Sequence, residues 1–167
     1  LLYPTEEVAS AVRLAQTLEA DARQRGFDYL SLGPALPAFP ASFDLVIPIL
    51  EATEAVFLGG QMASLRDGLS LPAVRACARI IHQAARLSPD GFANLRFGAL
   101  ANLAPHGPFL PGAYHAGERP AFALAVESAD LAVVALRRAT SLADARQRLL
   151  TALEDAAYPK VPHNFTE

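Results

Sequence analysis

The run Gly91-Phe-Ala-Asn-Leu-Arg-Phe-Gly-Ala-Leu-Ala-Asn-Leu-Ala-Pro-His-Gly-Pro-Phe-Leu-Pro-Gly-Ala-Tyr-His115 changes character halfway along. Over residues 94–104 the side chains alternate as in a strand. Leu95, Phe97, Ala99, Ala101 and Leu103 share one face, and Asn94, Arg96, Gly98, Leu100 and Asn102 share the other. From Pro105 onward the chain holds too much Pro and Gly for regular structure, so a loop is expected. That loop carries His106 and His115, two of the four histidines in the chain.

Working outward, helices and short apolar strands alternate around this run. Residues 5–25 read as an amphipathic helix: Thr5 is placed to cap it, Val8, Ala11, Val12, Ala15 and Leu18 recur at helical spacing, and Gly26 stops it. Residues 27–32 read as a buried strand ending at Gly33-Pro34. Pro34, Pro37 and Pro40 make a loop, and Pro48 suits the first turn of a short helix ending near Thr53. Residues 55–61 are the second strand, closed by Gly59-Gly60, where a backbone or a ligand can come close. Residues 64–68 read as a polar connection. Ser70 and Pro72 open a helix with a stripe of Val74, Cys77, Ile81 and Ala84. After the loop, residues 121–127 form a fourth strand candidate, followed by a helix from Ser128 or Asp130. Ser141 and Asp144, three apart, form a capping box for a last helix. The alternation predicts an α/β fold with a mostly parallel sheet and flanking helices. In such sheets ligands collect beyond the carboxyl ends of the strands, which here are Gly33, residues 61–64, residues 102–106, and Glu127-Ser128.

Composition narrows the function classes. With 52% hydrophobic and 19% charged residues, the 167-residue chain can bury a substantial core. A net charge of −3 without a basic run argues against nucleic acid as a partner. No apolar run is long enough to span a bilayer, so no membrane partner is expected. One cysteine excludes an internal disulfide framework and makes a reducing cytoplasm the expected compartment. The chain begins Leu-Leu-Tyr-Pro, and its apolar richness fits a single α/β domain that is part of a longer protein. On that reading a missing half, or a second copy, covers the exposed apolar surface.

Gly26-Phe-Asp-Tyr-Leu-Ser-Leu-Gly-Pro34, Leu50-Glu-Ala-Thr-Glu-Ala-Val-Phe57, the run from Asp90 to Asn102, Pro108-Phe-Leu-Pro-Gly-Ala-Tyr-His115 and the segment 121–130 together resemble the uncharacterised family called domain of unknown function 711. The resemblance implies a fold similar to the glycyl radical enzymes, an α/β barrel made of two half-barrels, of which this chain would be half. It implies no reaction. Glycyl radical chemistry needs a thiol at the substrate, and Cys77 lies on the apolar stripe of a helix, where a free cysteine is ordinarily core. No segment resembles the Arg-Val-X-Gly loop of those enzymes, so radical chemistry is disfavoured.

The side chains that could carry chemistry are few. Arg96 and Asn102, on one strand face, require partners if buried. These are either an anionic ligand or a structural network across the sheet. His115 is the best candidate for acid–base work and His106 for ligand contact, with hydrogen-bonded loop histidines as the alternative. Glu127, at a strand end, is a second catalytic candidate. Ser128 is either a ligand contact or a helix cap. Zinc would need a third ligand, and although Glu118 and Glu127 are available no spacing matches a zinc motif, so no metal is assigned. The cofactor is unknown: there is no phosphate-binding Gly-rich loop and no Gly-X-Ser-X-Gly elbow. Three functional readings remain. The first is an enzyme acting on small acids or carbonyl compounds. The second is a non-catalytic binding or regulatory protein for a small polar or anionic ligand. The third is a structural half-barrel that oligomerises.

Overall fold

A computed structural model describes residues 7–107, 109–121 and 128–157. The chain divides into two compact units, Leu1–Ala123 and Leu124–Glu167.

The first unit opens with helix α1 (Val8–Gln24). The Thr5 cap expected from the sequence lies outside the described residues. At the other end Gly26 takes φ +81°. The Gly26 N–H then reaches the Arg23 carbonyl at 3.0 Å and the Phe27 N–H the Ala22 carbonyl at 3.0 Å. Those two bonds make a Schellman stop, which only a residue tolerant of the left-handed region closes cheaply. Strand β1 (Leu30–Ala35) starts later than expected and runs through Gly33-Pro34. It does so because Gly33 adopts φ +82° and the pairing register shifts between Ser31 and Pro34. That irregularity absorbs the proline without ending the strand. A 3₁₀ turn (Pro40–Leu45) leads into helix α2 (Val46–Ala52), with Pro48 in its first turn as its sequence predicts.

Strand β2 (Val56–Ser64) is central and pairs in parallel with β1. It also pairs in parallel with β4 (Phe97–Ala101). The presumed polar connection after it is a tight turn, closed by the Ser64 hydroxyl on Asp67, that leads into strand β3 (Gly68–Leu69), antiparallel to the end of β2. Helix α3 (Leu71–Ala84) follows, and the Ser70 hydroxyl accepts from the Ala73 N–H as a cap should. Its buried row is Ala73, Ala76, Cys77, Ile80 and Ala84, whereas Ile81 of the expected stripe faces outward. A single turn, α4 (Phe92–Leu95), enters β4. The expected strand 94–104 is therefore shorter at both ends. Gly91 at φ +75°, with Asp90 and Ser88 accepting the Phe92 and Ala93 N–H groups, bends residues 92–95 into a turn.

Among the described residues the sheet is open, mixed and mostly parallel, as expected. The parallel strands advance in one direction, β1 to β2 to β4, so the connecting helices lie on one face. Val46, Ile49, Leu50, Val56, Leu58 and Cys77 are the largest fully buried side chains and centre the core on that face.

The second unit holds helices α5 (Ala129–Arg137) and α6 (Leu142–Ala157), packed on each other. Ser141 caps α6, its hydroxyl accepting from the Asp144 N–H at 3.1 Å. Asp144 reaches back to the Thr140 N–H at 2.9 Å, one residue earlier than a strict capping box requires. Those bonds, first the one from Thr140 and then Arg148, hold the Asp144 carboxyl below the ordinary range. The strand expected at 121–127 lies almost entirely outside the described residues.

Candidate functional site

Parallel pairing puts the carboxyl ends of β1, β2 and β4 on one edge of the sheet, where α/β folds bind ligands. The face opposite the helices is nearly free of large side chains at Ser31, Gly33, Gly59 and Gly98. The Pro/Gly loop folds over it. The Ser31 hydroxyl donates to the Ala113 carbonyl at 2.6 Å. A Cβ on Gly98 would stand 2.7 Å from Cγ of Pro111, and one on Gly33 would stand 3.3 Å from Cβ of Tyr114. Leu100 and Leu103 close around Gly112. The glycines are thus the recess into which the loop is pressed.

This docking brings His106 and His115 together. The His106 N–H donates to the Tyr114 carbonyl at 2.9 Å. The two imidazoles meet edge to face, with centroids 4.9 Å apart and planes at 76°. Gly117 crosses beside both rings: a Cβ there would lie 3.3 Å from His115 Cε1 and Nε2 and 3.7 Å from His106 Cε1. Both histidines are solvent-exposed. His106 is held at φ +66° and Asn102 at φ +54°. Left-handed backbone at non-glycine residues costs roughly 1 kcal/mol or more and concentrates where geometry is functionally constrained. Asn102 sits just past β4, its N–H bonded to the Ala63 carbonyl at 2.9 Å. Its side chain is exposed on that edge, with no partner among the described residues. Among the described residues no hydrogen bond joins it to the histidine pair.

Arg96 is in a different place from the one its alternation suggests. It follows the α4 turn as its C-cap, ahead of β4, and is 5% exposed. Its guanidinium donates to the Leu50 carbonyl at 2.6 Å and the Thr53 carbonyl at 2.8 Å, with longer contacts to Thr53 Oγ1 and the Val56 carbonyl. These are the open carbonyls at the end of α2, where a cation is favourable. Glu19 completes the arrangement, accepting from the Glu54 and Ala55 N–H groups at 2.8 and 2.5 Å. Burial pulls the Arg96 pKa down, while Glu19 and Glu54 push it up. Glu19, Thr53 and Arg96 are the buried polar residues among those described, and all three gather at the amino end of the sheet. The network across the chain is the arrangement seen for Arg96. Sequence reading missed Glu19, although it follows the buried Ala11 and Ala15 at the same four-residue spacing.

Cys77 is buried, its thiol 3.6 Å from the Gly60 carbonyl, and burial pushes it up to about 11. A thiol so held is an inert core group. Gly60 allows that approach, since a Cβ there would meet Sγ at 2.6 Å, and Gly59 faces Leu100. The close approach read at Gly59-Gly60 is core packing. Glu127 lies outside the described residues. Ser128 is the residue before α5, in the second unit; its carbonyl accepts from the Ala132 N–H, and its hydroxyl makes no cap. Among the described residues no three His, Cys, Asp or Glu side chains are grouped to hold a metal ion, and no helix is long and apolar enough to cross a membrane.

The family model described as Uncharacterised ACR (DUF711) matches residues 1–161. The chain belongs to this family. The "UPF0210 protein" of Pyrobaculum arsenaticum is 32% identical over 126 residues, covering 72% of this chain and 27% of the relative. That of Pelobacter propionicus is 33% identical over 117 residues, covering 64% of the chain and 25% of the relative. That of Actinobacillus succinogenes is 30% identical over 131 residues, covering 71% and 29%. The chain thus spans a little over a quarter of the length of these curated relatives. No solved structure matches.

Proposed function

We propose that the carboxyl edge of the sheet, with the loop pressed over its open face, binds a small polar or anionic ligand, and that the protein is an enzyme acting on small acids or carbonyl compounds. The observation carrying this reading is the His106–His115 pair at 4.9 Å. A neutral imidazole has one N–H donor and one acceptor nitrogen. Two of them at one place can present a donor to a carboxylate or carbonyl oxygen and an acceptor to the proton being moved. The loop carrying them is anchored by Ser31 and two glycine recesses, Gly33 and Gly98, so little freedom is lost on binding. Asn102 supplies a further polar group on the same edge. Arg96, engaged with carbonyls at the opposite end, is assigned to holding the sheet instead of the ligand.

A non-catalytic binding or regulatory role is the second reading. It needs only that the two imidazoles contact a ligand, which their paired and exposed placement serves equally well. The half-barrel of the family resemblance fits an open parallel sheet whose helices lie on one face, and the remainder of a longer chain or a second copy would complete it.

The test is ligand-dependent thermal stabilisation against a panel of small carboxylates and oxo acids. His115→Ala is expected to abolish the ligand-induced shift while changing unfolding free energy by no more than about 0.5 kcal/mol, as exposed substitutions do, and His106→Asn, which tolerates the left-handed backbone at that position, is expected to abolish it too. A His115→Ala protein that melts without ligand, or that keeps the full shift, overturns the assignment. Turnover of any stabilising compound decides between enzyme and binding protein.

A further inference from the structure

A second concavity lies on the helix-covered side, away from the histidine loop. It is about 260 Å³ and is lined by Phe43, Asp44, Ile47 and Pro48 from the 3₁₀ turn and α2, and by Ala76, Arg79, Ile80 and Gln83 from α3. Spacing explains its chemistry. Phe43 and Ile47 are one helical turn apart, as are Ala76 and Ile80, and the two rows form the floor. Phe43, Ala76 and Ile80 are buried. Asp44 on one side, and Arg79 and Gln83 a turn apart on the other, are exposed at the mouth.

The rim charges are of opposite sign, yet they do not pair with each other or with any other described residue. Some other exposed charges of the unit do find partners, as Arg23 does with Glu54. An unpaired carboxylate, an unpaired guanidinium and a free amide around an apolar floor form a complementary set for a molecule with an ammonium, a carboxylate and a hydrocarbon side chain. The volume falls below the range of about 300–1,000 Å³ usual for drug-sized ligands, so the occupant is small.

We infer that this groove is a binding site for a free α-amino acid with an aliphatic side chain. Arg79 holds the carboxylate, assisted by Gln83. Asp44 holds the ammonium, and Phe43, Ile47 and Ile80 receive the hydrocarbon.

Calorimetric titration of the full chain with L-leucine to about 50 mM tests it, since an exposed site of this size is expected to bind in the millimolar range. Leucinamide, which lacks the carboxylate, N-acetyl-leucine, which lacks the ammonium, and glycine, which lacks the side chain, should each bind at least about fivefold more weakly. In Arg79→Gln the preference for leucine over leucinamide should disappear, and in Asp44→Asn the preference over N-acetyl-leucine should disappear. Circular dichroism should be unchanged in both, since both side chains are exposed. No heat with leucine overturns the inference, as does binding whose discrimination survives both substitutions. Binding lost in His115→Ala but kept in both groove variants assigns the amino acid to the histidine loop and overturns it too.

Discussion

Removing the Arg96 guanidinium should cost this protein a large part of its stability. The side chain is 5% exposed and satisfies the Leu50 and Thr53 carbonyls through bonds of 2.6 and 2.8 Å. Arg96→Met keeps most of the volume but leaves both carbonyls buried without a donor, at roughly 1–3 kcal/mol each. It also leaves Glu19 with only the half-exposed Arg23, 3.6 Å away, as a nearby cation. Losing the desolvation penalty of the guanidinium offsets part of this. The net expectation is about 3–4 kcal/mol for Arg96→Met and about 1–2 kcal/mol more for Arg96→Ala, which adds a cavity. Lysine reaches with a point charge and cannot span two carbonyls as a planar fork does, so Arg96→Lys should fall between wild type and Arg96→Met. Urea unfolding followed by far-UV circular dichroism reads these losses. With a slope of about 2 kcal/mol per molar, the Arg96→Met midpoint should fall by roughly 1.5–2 M. Cys77 thiol exposure reports on the first unit alone. An Arg96→Met protein within about 0.5 kcal/mol of wild type that fails to bind ligand would refute the structural role and return Arg96 to the site.

Gly98→Ala should push Pro111 away from the sheet, because the new Cβ would stand 2.7 Å from its Cγ. Hydrogen exchange should then rise across residues 103–117 while the β2 amides stay protected, and equal protection in both proteins would show that the recess does not hold the loop. Cys77, pushed up to about 11 by burial, should resist iodoacetamide at pH 8 and react on unfolding. Its raised folded-state pKa contributes stability that is complete below the unfolded thiol value of about 8.5 and is lost as pH rises toward the folded value. Cys77→Ala should flatten that alkaline limb. For Asp144 the sign is opposite: its folded pKa is depressed, so its contribution is present above about pH 4, the unfolded carboxyl value, and is lost as pH falls through the folded one. Asp144→Asn should remove that acid sensitivity from the α6 helical signal, and an unchanged acid limb would contradict the capping role.

Local chemistry carried much of the fold into the sequence. The Gly26 stop, the Ser70-Pro72 start and the Ser141 cap act within a few residues, so composition and spacing reveal them. The alternation of helix and apolar strand was enough for a mostly parallel α/β sheet, and the apolar stripe was enough to place Cys77 in the core. The Pro/Gly loop with its two histidines was also legible as the stretch most apt to hold polar groups still. What tertiary structure alone decided is which groups meet. Arg96 looks like a strand residue facing a ligand until its partners arrive from 43 and 46 residues earlier in the chain and bury it at the amino end of the sheet. Glu19 looks like one more charge on a solvated helix until β2 begins against it. His106 and His115 become a pair only because glycines on β1 and β4 leave room for the loop between them to lie flat on the sheet. Periodicity records what each residue does for its own element. Burial and long-range hydrogen bonds depend on segments distant in sequence, and those set the roles of the charged side chains.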